Sequence, residues 1–269
     1  MRVADFFCGA GGFSEGFRQA GFEIVFAVDK WKPAIDTFKA NKPNCGAIQD
    51  DVIRISNLPD DEFHTLVPDT EIIIGSPPCI AFSNSNKSGN GDKSLGLALL
   101  KAYLKIIARK KFKENSVLRY WVLENVPNIK KYIKEKYHAT DLDLDGDFFL
   151  IPINDSTGVY NAKYFGAPTN RKRFLCGEFP APMPTNTDET VIKLRDVLNS
   201  LGVPQTSDES PITDCCYPSL SINRTAVTDT IILIYYSRLN GKQQRDLRRI
   251  KGIWGAWLFP RTLTTHLVL

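Results

Sequence analysis

Short apolar runs alternate with amphipathic stretches over the first 180 of the 269 residues. Most of the apolar runs end at Gly, Pro, Asp or Asn, which is typical of buried strands. The predicted strands cover residues 3–7, 24–28, 71–74, 120–123 and 148–153. The predicted helices cover residues 13–19, 33–40, 95–110 and 129–137. This alternation predicts an α/β fold with a doubly wound, mostly parallel sheet, whose ligands bind at the carboxyl ends of the strands.

The βα pattern stops after Phe179, where the proline-rich stretch PAPMPTNTDET carries no strand signal. We therefore predict a main domain over residues 1–180 and a smaller region over residues 185–269, where no βα repeat is visible. Residues 82–94 (FSNSNKSGNGDKS) are polar and directly follow a Pro-Pro-Cys corner. That position favours a mobile active-site loop over a linker.

The composition, 43% hydrophobic and 24% charged, is that of a globular protein. Because no apolar run approaches the roughly 20 residues of a membrane span, we expect a soluble, cytoplasmic protein with no membrane partner. The six cysteines have no periodic spacing and are expected to be free thiols. The three histidines are scattered, and Cys215 and Cys216 lack ligand spacing, so we expect no metal site.

The formal charge of +4 is only mildly basic, but residues 238–251 hold six Lys or Arg side chains and one Asp. Such a cluster can meet a phosphate backbone. Considered by itself, it fits a solvated helix face better, so charge does not identify a partner.

A glycine-rich turn, CGAGG at residues 8–12, lies between the first predicted strand and the first predicted helix. Glycines let the backbone approach a ligand closely, and a helix N-terminus favours an anionic group. Asp29 ends the second strand, where it can accept from ribose hydroxyls. Asp51, in the segment QDDV at residues 49–52, ends a further strand that precedes the one over 71–74 and is therefore the third, and there it can accept from an adenine amino group. A helix N-cap at Asp29 and a turn residue at Asp51 are the alternatives.

Cys79 follows the fourth strand through two prolines, which restrict the backbone and hold the thiol on the rim of the sheet. A lone cysteine is more often a buried apolar residue, but this corner and the loop after it favour chemistry. Glu124 ends the next strand on the same rim, where a partly buried carboxyl can donate a proton. Arg171 and Arg173 alternate along a strand, so both should point to this site unless they are simply exposed strand charges.

Four segments in order, DFFCGAGGF, SPPC, ENV and NAKYFGAPTNRKRF, resemble motifs of the DNA cytosine-5 methyltransferases of bacterial restriction-modification systems. The resemblance covers about residues 1–180 and implies a Rossmann-like methyltransferase domain that binds S-adenosyl-L-methionine. The residues that it implies for cofactor binding are Phe7, Cys8, Gly9, Ala10, Gly11, Gly12, Phe13, Asp29, Trp31, Asp51 and Pro78. It makes Cys79 the nucleophile, while Glu124, Arg171 and Arg173 grip the cytosine.

The resemblance also implies a mechanism. A thiolate adds to C6 of cytosine and gives an enamine that takes the methyl group at C5. Glu124 would bond N3, and Arg171 would bond the O2 side while orienting the acid. The base must leave the stacked duplex, so double-stranded DNA is the expected partner, contacted by the target-recognition region 185–269. A tRNA cytosine-5 methyltransferase and a catalytically silent binding subunit are the alternatives.

The sequence departs from the family pattern at several positions. Ile80 and Thr169 stand where Gln is usual, and Lys30 stands where an aromatic residue is often found. The ending from Phe259 resembles the ninth motif of the family, and no tenth motif follows. We therefore expect either a second polypeptide that supplies it or a truncated copy that binds the cofactor weakly alone.

Overall fold

The computed structural model describes residues 1–79 and 93–200. Its strands are β1 Arg2–Phe6, β2 Glu23–Asp29, β3 Gly46–Gln49, β4 Ile72–Gly75, β5 Tyr120–Asn125, β6 Tyr137–His138, β7 Phe149–Leu150, β8 Gly158–Asn161 and β9 Lys172–Glu178. Its α-helices are α1 Gly12–Gln19, α2 Lys32–Asn41, α3 Val52–Ser56, α4 Asp60–Leu66, α5 Ser94–Lys111 and α6 Leu194–Ser200. Short 3-10 helices cover Pro127–Tyr132, Ala139–Leu142 and Ala162–Phe165. No helix in these ranges is long and apolar enough to cross a membrane.

Seven strands form one sheet in the order β3-β2-β1-β4-β5-β9-β8. The pairs β2 with β3, β1 with β2, β1 with β4 and β4 with β5 are parallel, and β9 is antiparallel to β5. The strand order reverses between β1 and β4, and ligands of open α/β sheets bind at such a switch point. The predicted doubly wound, mostly parallel sheet is confirmed.

Successive residues of the central strands pack on opposite faces of the sheet. Ile73 belongs to a buried cluster with residues of α3, α4 and α5, whereas Ile72 and Ile74 belong to a second cluster with residues of α2. Because both faces of β4 are covered by these clusters, every position of the strand is apolar, as expected of a buried parallel strand. The sheet is therefore a rigid base for the loops at its rim.

Two predicted elements were wrong. The helix predicted over 129–137 is the 3-10 helix Pro127–Tyr132 followed by β6, because Tyr137 is buried by pairing with Leu150 of β7. The strand predicted over 148–153 is only β7, two residues long, and lies in a separate two-stranded sheet. Pro152 has no N–H with which to extend the pairing.

The described residues divide into two compact units: residues 1–160 with 172–183, and residues 161–171 with 184–200. In the second unit, the amides of Thr185 and Asn186 donate to the carbonyl of Tyr164 at 2.9 and 3.0 Å. Residues 80–92, which include Ile80 and most of the predicted loop, lie outside the described residues. Residues 201–269, with the basic cluster, do so too, and the predicted domain division stays a prediction.

Gly75 ends β4 where only a residue without a side chain fits. An added Cβ would lie 2.2 Å from Cε2 of Tyr103, whose hydroxyl donates to the Val122 carbonyl at 2.7 Å. Because that ring is fixed, we predict that Gly75→Ala lowers the free energy of unfolding by about 1–3 kcal/mol, measured by urea denaturation.

Gly16 provides the matched control, since an added Cβ in this exposed turn of α1 meets nothing within 4 Å. Gly16→Ala should raise stability by about 0.5–1 kcal/mol through the higher helix propensity of alanine. A Gly75→Ala variant with an unfolding midpoint at or above that of the wild type would contradict the close packing described here.

Candidate active site at the carboxyl ends of β1, β4 and β5

The loop after β1 is held in a conformation that leaves room for a ligand. Phe7, Gly9 and Gly11 all have positive φ angles, of 60°, 54° and 94°. An added Cβ at Gly11 would lie 2.8 Å from the Phe38 ring, whereas one at Gly9 would meet no atom of the described residues within 4 Å. No side chain caps the N-terminus of α1, which begins at Gly12. The loop therefore presents open space beside the positive end of a helix.

Asp29, at the end of β2, holds this loop. Its Oδ2 accepts from the Gly9 amide and its Oδ1 from the Trp31 amide, both at 2.9 Å. Burial raises the pKa of Asp29, and the backbone donors oppose that rise. The carboxylate thus joins the ends of β1 and β2, while Trp31 stands at the N-cap of α2.

Asp5 is a fully buried carboxyl inside β1. Its Oδ2 accepts from the Ser14 hydroxyl at 2.5 Å, and its Oδ1 has no hydrogen-bond partner among the residues that the structure describes. Burial raises the pKa of Asp5 to about 7, although the Ser14 bond opposes the rise. Sequence reasoning gave Asp5 no separate role, but an acid within the apolar run VADFF was a visible signal.

The corner after β4 is tied to both neighbouring strands. The Ser76 amide donates to the Phe6 carbonyl at 3.2 Å, and the Asn125 side-chain amide donates to the Pro77 carbonyl at 2.8 Å. Pro77 is buried and Pro78 exposed, and Cys79 after them is partly buried. The thiol is therefore held at the same rim as the end of β5.

Glu124 is 3% exposed and lies near the end of β5. Its Oε2 accepts a hydrogen bond from the Ser76 hydroxyl, and Nε of Arg173, on β9, lies 2.8 Å from its Oε1. Burial raises the pKa of Glu124, and both partners oppose the rise. The pKa of Cys79 is raised by burial and then by the charge of Glu124, and lowered by the charge of Arg173. The charge of Glu124 therefore opposes ionisation of the thiol, and the charge of Arg173 favours it.

Residues 1–255 match the family model described as C-5 cytosine-specific DNA methylase. The chain belongs to that family. Type II methyltransferase M.MthTI of Methanothermobacter thermautotrophicus is 34% identical over an alignment of 215 residues that covers 76% of this chain and 58% of that protein. Type II methyltransferase M.HgiDI of Herpetosiphon aurantiacus is 33% identical over 183 residues, 66% of this chain and 52% of that protein. The resemblance inferred from the motifs is confirmed.

One solved structure, of a prophage-encoded E. coli protein assigned as a DNA modification methyltransferase, matches with a TM-score of 0.52. It is 26% identical and covers 74% of this chain and 54% of that one. This family member spans about half the length of the curated relatives that it matches.

The predicted cofactor residues fall into two groups in this family member. Cys8 and Ala10 are buried, so their side chains face the protein interior. The Phe13 ring packs edge-on against Phe17. The backbone of Cys8 and Ala10, with that of the glycines, remains for a ligand. Asp29 and Trp31 follow the same rim at the end of β2. Sequence alone had not separated backbone from side-chain contributions.

Asp51 caps a helix and is neither the last residue of a strand nor a simple turn residue, while its contact with adenine stays a prediction. β3 ends at Gln49, and Asp51 is the N-cap of α3, accepting from the Ile53 amide at 2.9 Å. Its other oxygen pairs with Nζ of Lys30 at 2.6 Å. Burial raises the pKa of Asp51, but these donors outweigh it and the pKa is lowered.

Arg171 and Arg173 were predicted to alternate along one strand, but only Arg173 lies on β9. β9 begins at Lys172, so strand alternation places Arg173 but not Arg171. Arg171 was predicted to orient the acid, whereas the ion pair that the structure describes at Glu124 comes from Arg173. Arg171 lies in the second unit, where its carbonyl accepts from the Ala162 amide at 2.8 Å. In residues 1–79 and 93–200, no three His, Cys, Asp or Glu side chains are grouped to hold a metal.

The raised pKa of Asp5 predicts a pH-dependent stability. Between its ordinary value of 3.8 and about 7, the folded chain keeps a proton that the unfolded chain releases. The stabilisation is full below pH about 4 and is lost as the pH rises through about 7. In the wild type, Asp5 should lower the free energy of unfolding by up to about 1.4 kcal/mol for each pH unit of that window. Asp5→Asn should abolish this contribution, measured by urea denaturation across the window.

Because the Ser14 hydroxyl lowers the pKa of Asp5, Ser14→Ala should extend the loss of stability to higher pH. Asp29 and Glu124 also have raised pKa values and contribute to the pH dependence of stability in every variant. The difference between wild type and Asp5→Asn therefore measures the contribution of Asp5. The same pH dependence in wild type and Asp5→Asn would show that Asp5 is charged in the folded chain.

Proposed function

We propose that this chain transfers a methyl group from S-adenosyl-L-methionine to C5 of a flipped cytosine in DNA, within a restriction-modification system. The observation that carries the proposal is the arrangement of Cys79, Glu124 and Arg173 beside the glycine loop at the switch point between β1 and β4. Membership of the methylase family and the type II methyltransferases among its relatives support it.

The rim at β1 and β2 fits a cofactor that has a carboxylate and a ribose. The uncapped N-terminus of α1 and the open space at Gly9 suit the carboxylate end. Asp29 accepts one amide at each oxygen and keeps lone pairs for ribose hydroxyls. When bound here, S-adenosyl-L-methionine supplies an electrophilic methyl group. Asp51, Trp31 and Pro78 would complete the cofactor site.

Cys79 is the proposed nucleophile. Its thiolate forms a bond to C6 of the cytosine, which makes C5 an enamine carbon able to take the methyl group. Loss of the C5 proton to a base then breaks the bond between sulfur and C6 and returns the thiolate. Arg171 would bond the O2 side of the base.

Glu124 couples the binding of the base to the activation of Cys79. Its anion raises the pKa of Cys79, while the charge of Arg173 lowers it. When Glu124 takes up a proton to bond N3, the unfavourable charge disappears and that of Arg173 remains. Binding of the base therefore favours the thiolate at the moment when it is needed.

The DNA partner follows from the chemistry of the base. C6 of a stacked cytosine is inaccessible, so the nucleotide must leave the duplex. We assign contact with DNA and choice of target to the region 185–269, with the basic cluster 238–251 meeting phosphates.

We predict that Cys79→Ser abolishes methyl transfer while the chain stays folded, because a serine hydroxyl does not ionise near neutral pH to provide the nucleophile. Transfer of labelled methyl groups to duplex DNA and, separately, to tRNA measures this with the purified chain. DNA should be the substrate methylated.

Cys45→Ser is the control, because Cys45 is also a partly buried thiol but has no part in the proposed chemistry. It should transfer methyl groups at the wild-type rate. Substantial activity in Cys79→Ser would remove Cys79 from its role, and preference for tRNA would replace the substrate.

A further inference from the structure

The two carboxyl oxygens of Glu124 have neighbours that differ in their ability to donate and accept hydrogen bonds. Oε2 accepts from the Ser76 hydroxyl. Oε1 forms an ion pair with Nε of Arg173 at 2.8 Å, but no group in residues 1–79 and 93–200 gives it a hydrogen bond of good geometry. The carboxyl is thus fixed through Ser76 on one side and attracted by a charge on the other.

This asymmetry decides which oxygen carries a proton. A guanidinium has only donors, so a proton on Oε1 would face the N–H groups of Arg173. A serine hydroxyl donates or accepts, so it can accept a hydrogen bond from a protonated Oε2 in the free chain and donate to Oε2 again when that proton turns to N3 of the base. The neutral acid of Glu124 is therefore protonated on Oε2, and only Ser76 among these two partners can bond both forms.

Ser76 is itself well placed for this task. Its amide donates to the Phe6 carbonyl at 3.2 Å, so the residue continues the pairing of β4 with β1. It precedes Cys79 by three positions in the same corner. One short segment therefore holds both the thiol and the oxygen of the acid.

We propose that Ser76 is a positioning residue for Glu124, whose hydroxyl holds Oε2 in both protonation states and so keeps the acid in one orientation during the reaction. The inference rests on the proposed methyl transfer, and it adds a residue to the two arginines and the acid assigned above. The motif SPPC contained this serine, but no sequence signal linked it to β5.

A loss of the hydroxyl has a defined electrostatic effect. The titratable and charged groups that face Glu124 in the described residues are Arg173 from β9 and Cys79 from the corner after β4. The Ser76 hydrogen bond lowers the pKa of Glu124 against the rise from burial. Ser76→Ala should therefore raise the pKa of Glu124 further, because the anion loses a donor.

The test compares wild type with Ser76→Ala, Ser76→Thr and Ser56→Ala. In Ser76→Ala, kcat on DNA should fall about tenfold with little change in KM for DNA, and the limb of the pH profile where the acid loses its proton should move to higher pH. Ser76→Thr keeps the hydroxyl and should restore the wild-type kcat and the wild-type pH profile. Ser56→Ala removes a partly buried serine bond, to the Ile53 carbonyl at 2.8 Å, and should leave both unchanged.

A direct readout separates this inference from the proposed function. Isotope-edited infrared titration of the cofactor-free chain, with Glu124→Gln to identify the band, follows the carboxyl without any turnover. The pH midpoint of the Glu124 titration should be higher in Ser76→Ala than in the wild type and should return to the wild-type value in Ser76→Thr. If alanine prevents folding, Ser76→Cys, a weaker hydrogen-bonding group, should give a smaller rise.

An unchanged carboxyl midpoint in Ser76→Ala, or in Ser76→Cys where that is the folded variant, would overturn the inference even in an active enzyme. Failure of Ser76→Thr to restore the midpoint would also overturn it. Absence of methyl transfer from every folded form, with the carboxyl shifts as expected, would instead count against the proposed function.

Discussion

β1 is paired in parallel with β2 along one edge and with β4 along the other, and the positions of the glycine loop, Asp29 and the Cys79 corner follow from those two pairings. The hydrogen bonds continue beyond the strand ends: the Cys8 amide donates to the Val28 carbonyl and the Ser76 amide to the Phe6 carbonyl. The glycine loop is therefore held by β2, and the corner that carries the thiol by β1. Because helices cover both faces of the sheet, the rim is where its polar groups can meet a ligand.

The chemistry at this rim depends on a buried acid whose charge matters to its neighbours. Burial disfavours the anion of Glu124, while Ser76 and Arg173 favour it. Its charge state in turn changes the pKa of Cys79. When Glu124 takes up a proton from solvent to bond N3 of the base, the pKa of Cys79 falls as well, and binding and activation become one event. An exposed acid would be screened by water and would exert much less influence.

The strong periodic elements were predictable, and the pairwise contacts were not. β1, β2, β4, β5 and α5 were recognised from apolar runs and helical spacing, with ends wrong by one or two residues. The cap at Asp51 was a readable helix signal that pointed to α3. Ser76 and Glu124 are 48 residues apart, and their contact exists only because β4 and β5 are neighbours in the sheet. Likewise, Arg173 reaches the acid through an antiparallel pairing that local pattern does not contain.

The central claim, that Cys79 attacks C6 of a cytosine in DNA, is tested most directly by trapping the bond. With S-adenosyl-L-methionine and a duplex containing 5-fluorocytosine, fluorine replaces the C5 proton that must leave, so the protein should stay attached to the DNA after methyl transfer. Mass spectrometry of the digested complex should find the modified nucleotide on the fragment with Cys79. Trapping on another of the six cysteines, or methylation of ordinary cytosine with no trapped product, would contradict the account.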